Sequence, residues 1–181
     1  GKTVDRTVLN DSVKEIGVKE KIIIPLSIQD VIPDKKAQDI QSKLFRDVLD
    51  RRVTVYSEYD QNTINRGHNI RLVAQHVNGK VLAPGEVFSF NEVVGERSPA
   101  RGFKSANVYV SGRIEEDYGG GICQISSLLY NSALYSGMEI VERLNHQFTV
   151  SYAELGMDAT VAWGSVDFRF RNNTDYTIRV D

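Results

Sequence analysis

Cysteine occurs once in the 181 residues, at Cys123. A single thiol excludes an internal disulfide, a CxxC redox pair and any cysteine-rich zinc site. No apolar run approaches the ~20 residues that span a bilayer, and no signal peptide is visible. A charge of one sign is also missing. The 22 Lys and Arg stand against 24 Asp and Glu, for a net −2. The chain therefore lacks the basic field of a nucleic-acid binder. Proline is scarce, and there is no internal repeat or low-complexity tract. With 41% hydrophobic and 25% charged residues, the composition is that of a globular protein rather than a disordered, collagenous or coiled-coil chain. The chain begins at Gly1 and not at Met, so it reads as a processed or excised piece, which leaves room for an anchor or export signal upstream.

Residues 1–51 read as a small α+β unit. Asp5 is placed to cap a helix carrying Leu9, Val13 and Ile16, with Gly17 as its stop. Lys21 to Gln29 reads as a strand demoted to an edge by Pro25. Pro33-Asp34 opens a second helix with Ile40, Leu44, Phe45, Val48 and Leu49 at helical spacing. From Val53 the texture changes. Val53 and Val55 alternate with Thr54 and Tyr56 as in a strand, and Arg66 to Val77 has a helical apolar face. Asn78-Gly79 and Pro84-Gly85 are turn signals. Val87 to Phe90, Asn107 to Val110 and Ala159 to Trp163 read as strands, as do segments around Phe168 and Ile178. The fold class expected is α+β: a largely antiparallel, twisted sheet covering a buried helix, with the N-terminal unit at its side.

The chemistry concentrates around the one cysteine. Gly119-Gly120-Gly121-Ile122-Cys123-Gln124 runs into an apolar, small-residue helix ending near Gly137. The glycines let the backbone turn sharply and approach a ligand, and Cys123 falls in the first helical turn. First-turn N–H groups lack intrahelical partners and carry the positive end of the helix dipole. Both favour a thiolate, and the same N–H groups suit an oxyanion. The plainer alternative is a small buried hydrophobe.

A thiol nucleophile needs a base. His146 stands before the alternating stretch Phe148, Val150 and Tyr152, and is favoured over His68, which sits in a polar cluster with Asn65, Arg66 and Asn69. His76 reads as solvated. Asp158 is the candidate to orient the histidine, or else a turn residue. Arg143, Arg97 and Arg169 are each able to hold a substrate carboxylate. Ser126 and Ser127, one turn past Cys123, line the site or let the helix pack closely. The three histidines lack the i, i+4 spacing of helical zinc sites, so neither metal nor cofactor is expected.

These residues carry a resemblance. Asn65-Arg66-Gly67-His68-Asn69-Ile70-Arg71, Pro84-Gly85-Glu86-Val87-Phe88-Ser89-Phe90-Asn91, Gly119 to Ser127, Glu142-Arg143-Leu144-Asn145-His146, Asp158-Ala159-Thr160-Val161 and Asp167 to Asp175 occur in the order found in the VanW domain. The chain resembles that family over residues ~53–180, with Gln147 where Ser is expected. Residues 1–51 resemble the C-terminal part of the peptidoglycan-binding module that commonly precedes VanW domains, leaving 52–181 as the VanW catalytic domain.

The resemblance implies a bacterial, extracytoplasmic, cell-wall protein, tethered to the membrane only through a segment outside this chain. It implies a peptidoglycan L,D-transpeptidase with Cys123 as nucleophile, acting on a donor tetrapeptide and an acceptor stem. The expected catalytic residues are Cys123, His146 and Asp158. Gly120, Gly121, Gln124, Ser126, His68, Arg66 and Arg143 are expected to bind substrate or the oxyanion. A cysteine L,D-carboxypeptidase or endopeptidase, and a non-catalytic wall-binding module, are the competing readings.

Overall fold

The computed structural model describes residues 2–14, 28–30, 44–110 and 113–181. The chain divides into two compact units, Gly1–Leu44 and Phe45–Asp181, a break earlier than the expected one at residue 51.

In the first unit, Asp5 caps α1 (Arg6–Lys14), its Oδ1 accepting the Thr7 N–H at 3.0 Å as an N-cap residue should. β1 (Lys2–Val4) and β2 (Ile28–Asp30) pair antiparallel. The expected strand over 21–29 is described only at its end, and its Pro25 lies outside the described residues, as do the Gly17 stop and the Pro33-Asp34 helix start. Where that second helix would continue, residues 44–50 are turn and irregular backbone. Phe45 has φ 54°, a left-handed conformation that no right-handed helix accommodates.

The second unit is built on two helices. α2 (Gln61–Val77) starts at a capping box in which Asp60 Oδ1 accepts the Thr63 N–H (2.8 Å) and Thr63 Oγ1 accepts the Asp60 N–H (3.0 Å). Two end groups are thereby satisfied reciprocally. The helix begins five residues before the expected Arg66, because the polar first turn carries no apolar periodicity to reveal it. Its inner face buries Ile70, Val73 and Val77. The short α3 (Phe90–Val94) and a 3₁₀ turn (Pro99–Arg101) follow, and α4 (Cys123–Tyr135) is the second long helix. Its N-terminal half is buried while Tyr135 at its end is exposed.

Among the described residues all strand pairs are antiparallel, and the class is α+β as expected. The antiparallel pairing is divided among several small sheets. β3 (Lys80–Leu82) pairs with β9 (Ile178–Val180), and β4 (Val87–Ser89), β8 (Arg169–Arg171) and β7 (Glu139–Glu142) form a three-stranded sheet in the order β4-β8-β7. β5 (Ser105–Val110) and β6 (Arg113–Tyr118) form a hairpin.

Two expected strands fail for one reason: side chains take their backbone groups. Ala159 to Trp163 makes only isolated bridges, Leu144 with Thr160 and Ala162 with Val166. The Ala159 carbonyl accepts from Ser126 Oγ (2.6 Å) and its N–H donates to Ser127 Oγ (2.9 Å). Val53 to Tyr56 is unpaired, and the Val55 carbonyl accepts from the Gln124 side chain (2.9 Å). The core lies among the strands and helices. Phe88 stacks on Phe170 at 5.0 Å, and Phe90, Val73, Val94 and Phe168 are fully buried around them. Each such aromatic contributes roughly 1.5–3 kcal/mol by leaving water.

Candidate active site

The glycine loop makes α4 possible. Gly121 has φ 98°, and a Cβ there would stand 2.6 Å from Arg66 Cγ. A Cβ on Gly120 would stand 2.7 Å from the Asn107 carbonyl oxygen. Side chains are therefore excluded at both positions by backbone and by α2. Asn69 holds the loop from α2. Its fully buried amide donates to the carbonyls of Lys104 (2.9 Å) and Gly120 (3.1 Å) and accepts the Lys104 N–H (2.9 Å). Asn69 was legible only as one of a polar cluster. Its isolation on the apolar face of α2, beside Ile70 and Val73, is the signal that marks it as buried.

Cys123 opens α4 and lines a cleft of about 1240 Å³ together with Arg66, Arg97, Gln124, His146 and Tyr152. In the first turn, the N–H groups of Gln124 and Ile125 bond to the Gly121 and Ile122 carbonyls (3.1 and 2.9 Å), which leaves the Cys123 N–H without a backbone acceptor among the described residues. The thiol lies 3.7 Å from the Val161 carbonyl oxygen. Burial pushes the Cys123 thiol up, while backbone contacts at Val161 and the Arg97 guanidinium pull it back in part and Asp158 adds to the rise. The thiolate expected from the helix N-terminus is therefore not the resting form. Desolvation disfavours the charged form of the thiol.

His146 lines the same cleft. Its Nδ1 lies 2.6 Å from Asp158 Oδ2, which also accepts the His146 N–H at 2.6 Å. This network assigns the ring proton to Nδ1 and leaves Nε2 as an acceptor. Asp158 is 7% exposed. Burial alone would raise its carboxyl, but the hydrogen bonds and charge from His146 outweigh it and hold the group below the usual carboxylate range. Arg143 completes the support, donating to the Asp158 carbonyl (2.7 Å), to Asp158 Oδ1 (3.2 Å) and to the Gly156 carbonyl (3.0 Å). It positions the acid and does not line the large cleft. It faces a separate pocket of about 350 Å³ instead.

Tyr152 was not foreseen as more than a strand residue. Its hydroxyl lies 3.3 Å from His146 Nε2. Burial first, and the proximity of Cys123 next, push the phenol far above its ordinary value. It is thus a neutral hydroxyl beside the His146 imidazole, in the cleft that Cys123 also lines. The alternation of Phe148, Val150 and Tyr152 pointed to it, but the strand expected there does not form.

Other expected site residues have structural duties. The Gln124 amide accepts from Arg66 Nη2 and donates to Thr54 Oγ1 (2.5 Å) and the Val55 carbonyl (2.9 Å). It ties the extended segment 53–57 along the cleft, and Arg71 ties the same segment to α2 through the Tyr56 hydroxyl (2.9 Å) and Glu58 (2.6 Å). Ser126, fully buried, bonds the Ala159 and Cys123 carbonyls (2.6 and 3.1 Å). His68 lies away from the cleft with Nε2 2.8 Å from the Gly102 carbonyl oxygen. Two residues past Arg66, it projects from another side of the helix.

A family model described as VanW like protein matches residues 65–181. Among curated proteins, the uncharacterized protein YoaR of Bacillus subtilis is 41% identical over 142 residues, covering 78% of this chain and 47% of YoaR. The vancomycin B-type resistance protein VanW of Enterococcus faecalis is 32% identical over 121 residues, covering 64% of this chain and 44% of VanW. The chain thus spans less than half the length of these relatives. No solved structure matches it.

Proposed function

Because this chain belongs to the VanW family, we propose that it is a cysteine acyltransferase of the bacterial cell wall, acting outside the cytoplasm as a peptidoglycan L,D-transpeptidase. The observation that carries the reading is one cleft lined by Cys123 at a helix N-terminus and by a histidine whose Nδ1 is fixed by a buried aspartate. The name of the enterococcal relative ties that protein to vancomycin resistance, which supports a cell-wall setting. Residues 1–51 belong in this reading to a wall-binding module.

The reaction proceeds through a thioester. As Cys123 Sγ attacks the carbonyl carbon of the third stem-peptide residue, its proton passes to His146 Nε2, relayed by the Tyr152 hydroxyl. The imidazolium is stabilised by Asp158. The tetrahedral oxygen is received by the Cys123 N–H at the positive end of α4. The carbon–nitrogen bond to the terminal D-Ala breaks, and His146 protonates the departing amine. The side-chain amine of a second stem then attacks the thioester, gives its proton to His146 and releases the Cys123 thiol, leaving a 3–3 crosslink. With water as acceptor the same steps give a tripeptide.

Incubation with disaccharide-tetrapeptide tests this. Mass analysis is expected to show a crosslinked dimer with loss of one D-Ala, and intact-protein mass a thioester on Cys123. Tripeptide without dimer would assign carboxypeptidase activity instead. A stem cut elsewhere would make the protein an endopeptidase. No product and no adduct would leave a wall-binding module.

A further inference from the structure

One cation lining the cleft has two donors without a partner among the described residues. Arg97 lines the cleft with Cys123, and each influences the other's ionisation. Its Nη1 donates to the Gly95 carbonyl at 2.9 Å. Its Nε and Nη2 are shielded from solvent and have no hydrogen-bond partner among the described residues. The central carbon of the guanidinium lies 5.5 Å from the Phe90 ring and 5.9 Å from the Trp163 ring. Its stem passes over Gly119, where a Cβ would come within 2.8 Å of Arg97 Cγ.

The carboxylate that acts on Arg97 among the described residues, Asp167, is engaged elsewhere. Its Oδ2 accepts from Ser89 Oγ (2.5 Å), and its Oδ1 accepts the N–H groups of Asn91 (2.9 Å) and Phe168 (2.8 Å). The neighbouring Arg101 adds like charge. Burial brings Arg97 down to about 10, so it remains a cation at neutral pH. Arg66, the other arginine lining the cleft, is by contrast bonded to Gln124. The Thr160 hydroxyl also lines the cleft, buried and without a partner.

A buried charge with two unanswered donors is costly unless a ligand answers them. The Nε and Nη2 edge of a guanidinium is a fork that matches the two oxygens of a carboxylate. We propose that Arg97 forms a carboxylate subsite beside Cys123, so that the cleft takes peptides whose free C-terminus lies one residue beyond the attacked carbonyl. The inference rests on the acyltransferase reading for where the bond breaks, and it makes the site selective for chain ends over chain interiors. Trp163 forms the wall against which that last residue lies.

Binding separates this from the chemistry. The Cys123→Ala protein is titrated by calorimetry with the stem tetrapeptide bearing a free terminal carboxylate, and with the same peptide as its C-terminal amide. The carboxylate form is expected to bind about tenfold or more tightly, the effect of a charge-assisted pair. Adding Arg97→Gln is expected to make the two bind equally, and Arg97→Lys, which keeps the charge but not the fork, to leave partial discrimination. Equal binding of both peptides to the Cys123→Ala protein overturns the subsite without any need for an Arg97 variant, and so does binding of neither. If Arg97→Gln moves only the pH profile of Cys123 alkylation and leaves the peptide preference intact, Arg97 serves the thiol and the subsite is wrong. Discrimination that persists while the wild type forms no product leaves the subsite standing and removes the acyltransferase.

Discussion

Two sets of polar groups around the cleft differ in how completely they are answered. Around α4 and Asp158, every group named has a partner: Ser126 and Ser127 on Ala159, the Gln124 amide on Arg66, Thr54 and Val55, and Asp158 on His146 and Arg143. Arg97 Nε and Nη2 and the Thr160 hydroxyl, from residues that line the same cleft, are buried and have no hydrogen-bond partner among the described residues. The first set holds the scaffold in place. The second holds unsatisfied potential that a ligand can satisfy. Satisfied groups stabilise a fold and unsatisfied ones cost stability, so the difference separates scaffold from recognition within one pocket.

Substitutions should widen or erase that contrast. The largest effect is expected at Cys123, where Cys123→Ala removes the nucleophile and lowers turnover of the tetrapeptide by more than about 10⁴-fold, with unfolding temperature nearly unchanged. Asp158→Asn follows. The amide cannot hold the Nδ1–H tautomer, and a loss of about 10²–10⁴ in kcat is expected with KM little altered.

Asp158 also has a stability signature. Its carboxyl sits below the ordinary value in the folded protein. Its contribution is therefore complete above the unfolded value of about 3.9 and disappears as pH falls through the lower folded value. Thermal unfolding from pH 6 downward should show the advantage of wild type over Asp158→Asn shrinking in that acid range. An advantage that persists to the lowest pH would mean the carboxylate charge is not its source.

Next comes the thiol. Since burial raises Cys123, alkylation of the free protein should accelerate only above the ordinary thiol value of about 8.5. Rapid alkylation near pH 6 would show instead that the helix dipole prevails.

A smaller effect belongs to the scaffold. Asn69→Ala leaves the Lys104 N–H and the Gly120 carbonyl without their partner and should cost about 1–3 kcal/mol, read from denaturant unfolding. The smallest is in the second set. Arg97→Met removes an unanswered buried cation and should leave stability equal or raised by about 1 kcal/mol while weakening substrate binding.

Much of this was legible beforehand. The Gly-Gly-Gly-Ile-Cys run placed Cys123 at a helix start because helix entry and small residues are local signals, and the structure starts α4 at Cys123 itself. His146 and Asp158 were read as a pair from their positions before extended segments, and their 2.6 Å contact joins them. The expected strands at Val53 and Ala159 were misread because their alternation is genuine. What replaced the ladder was side-chain hydrogen bonding from Gln124, Ser126 and Ser127, residues 32 to 69 positions away in the chain. No local pattern records such a substitution.

The sequence by itself determined that cysteine chemistry, if present, passes through Cys123, since there is no other thiol. Its near-zero net charge leaves any selectivity for an anionic ligand to placed arginines. Which arginine donors go unpaired, and which way the thiol's ionisation leans, only the tertiary structure decided. Burial sets both, by leaving the Arg97 donors unanswered and by disfavouring the Cys123 thiolate. Burial is a sum over neighbours brought together by folding, and no single stretch of sequence contains it.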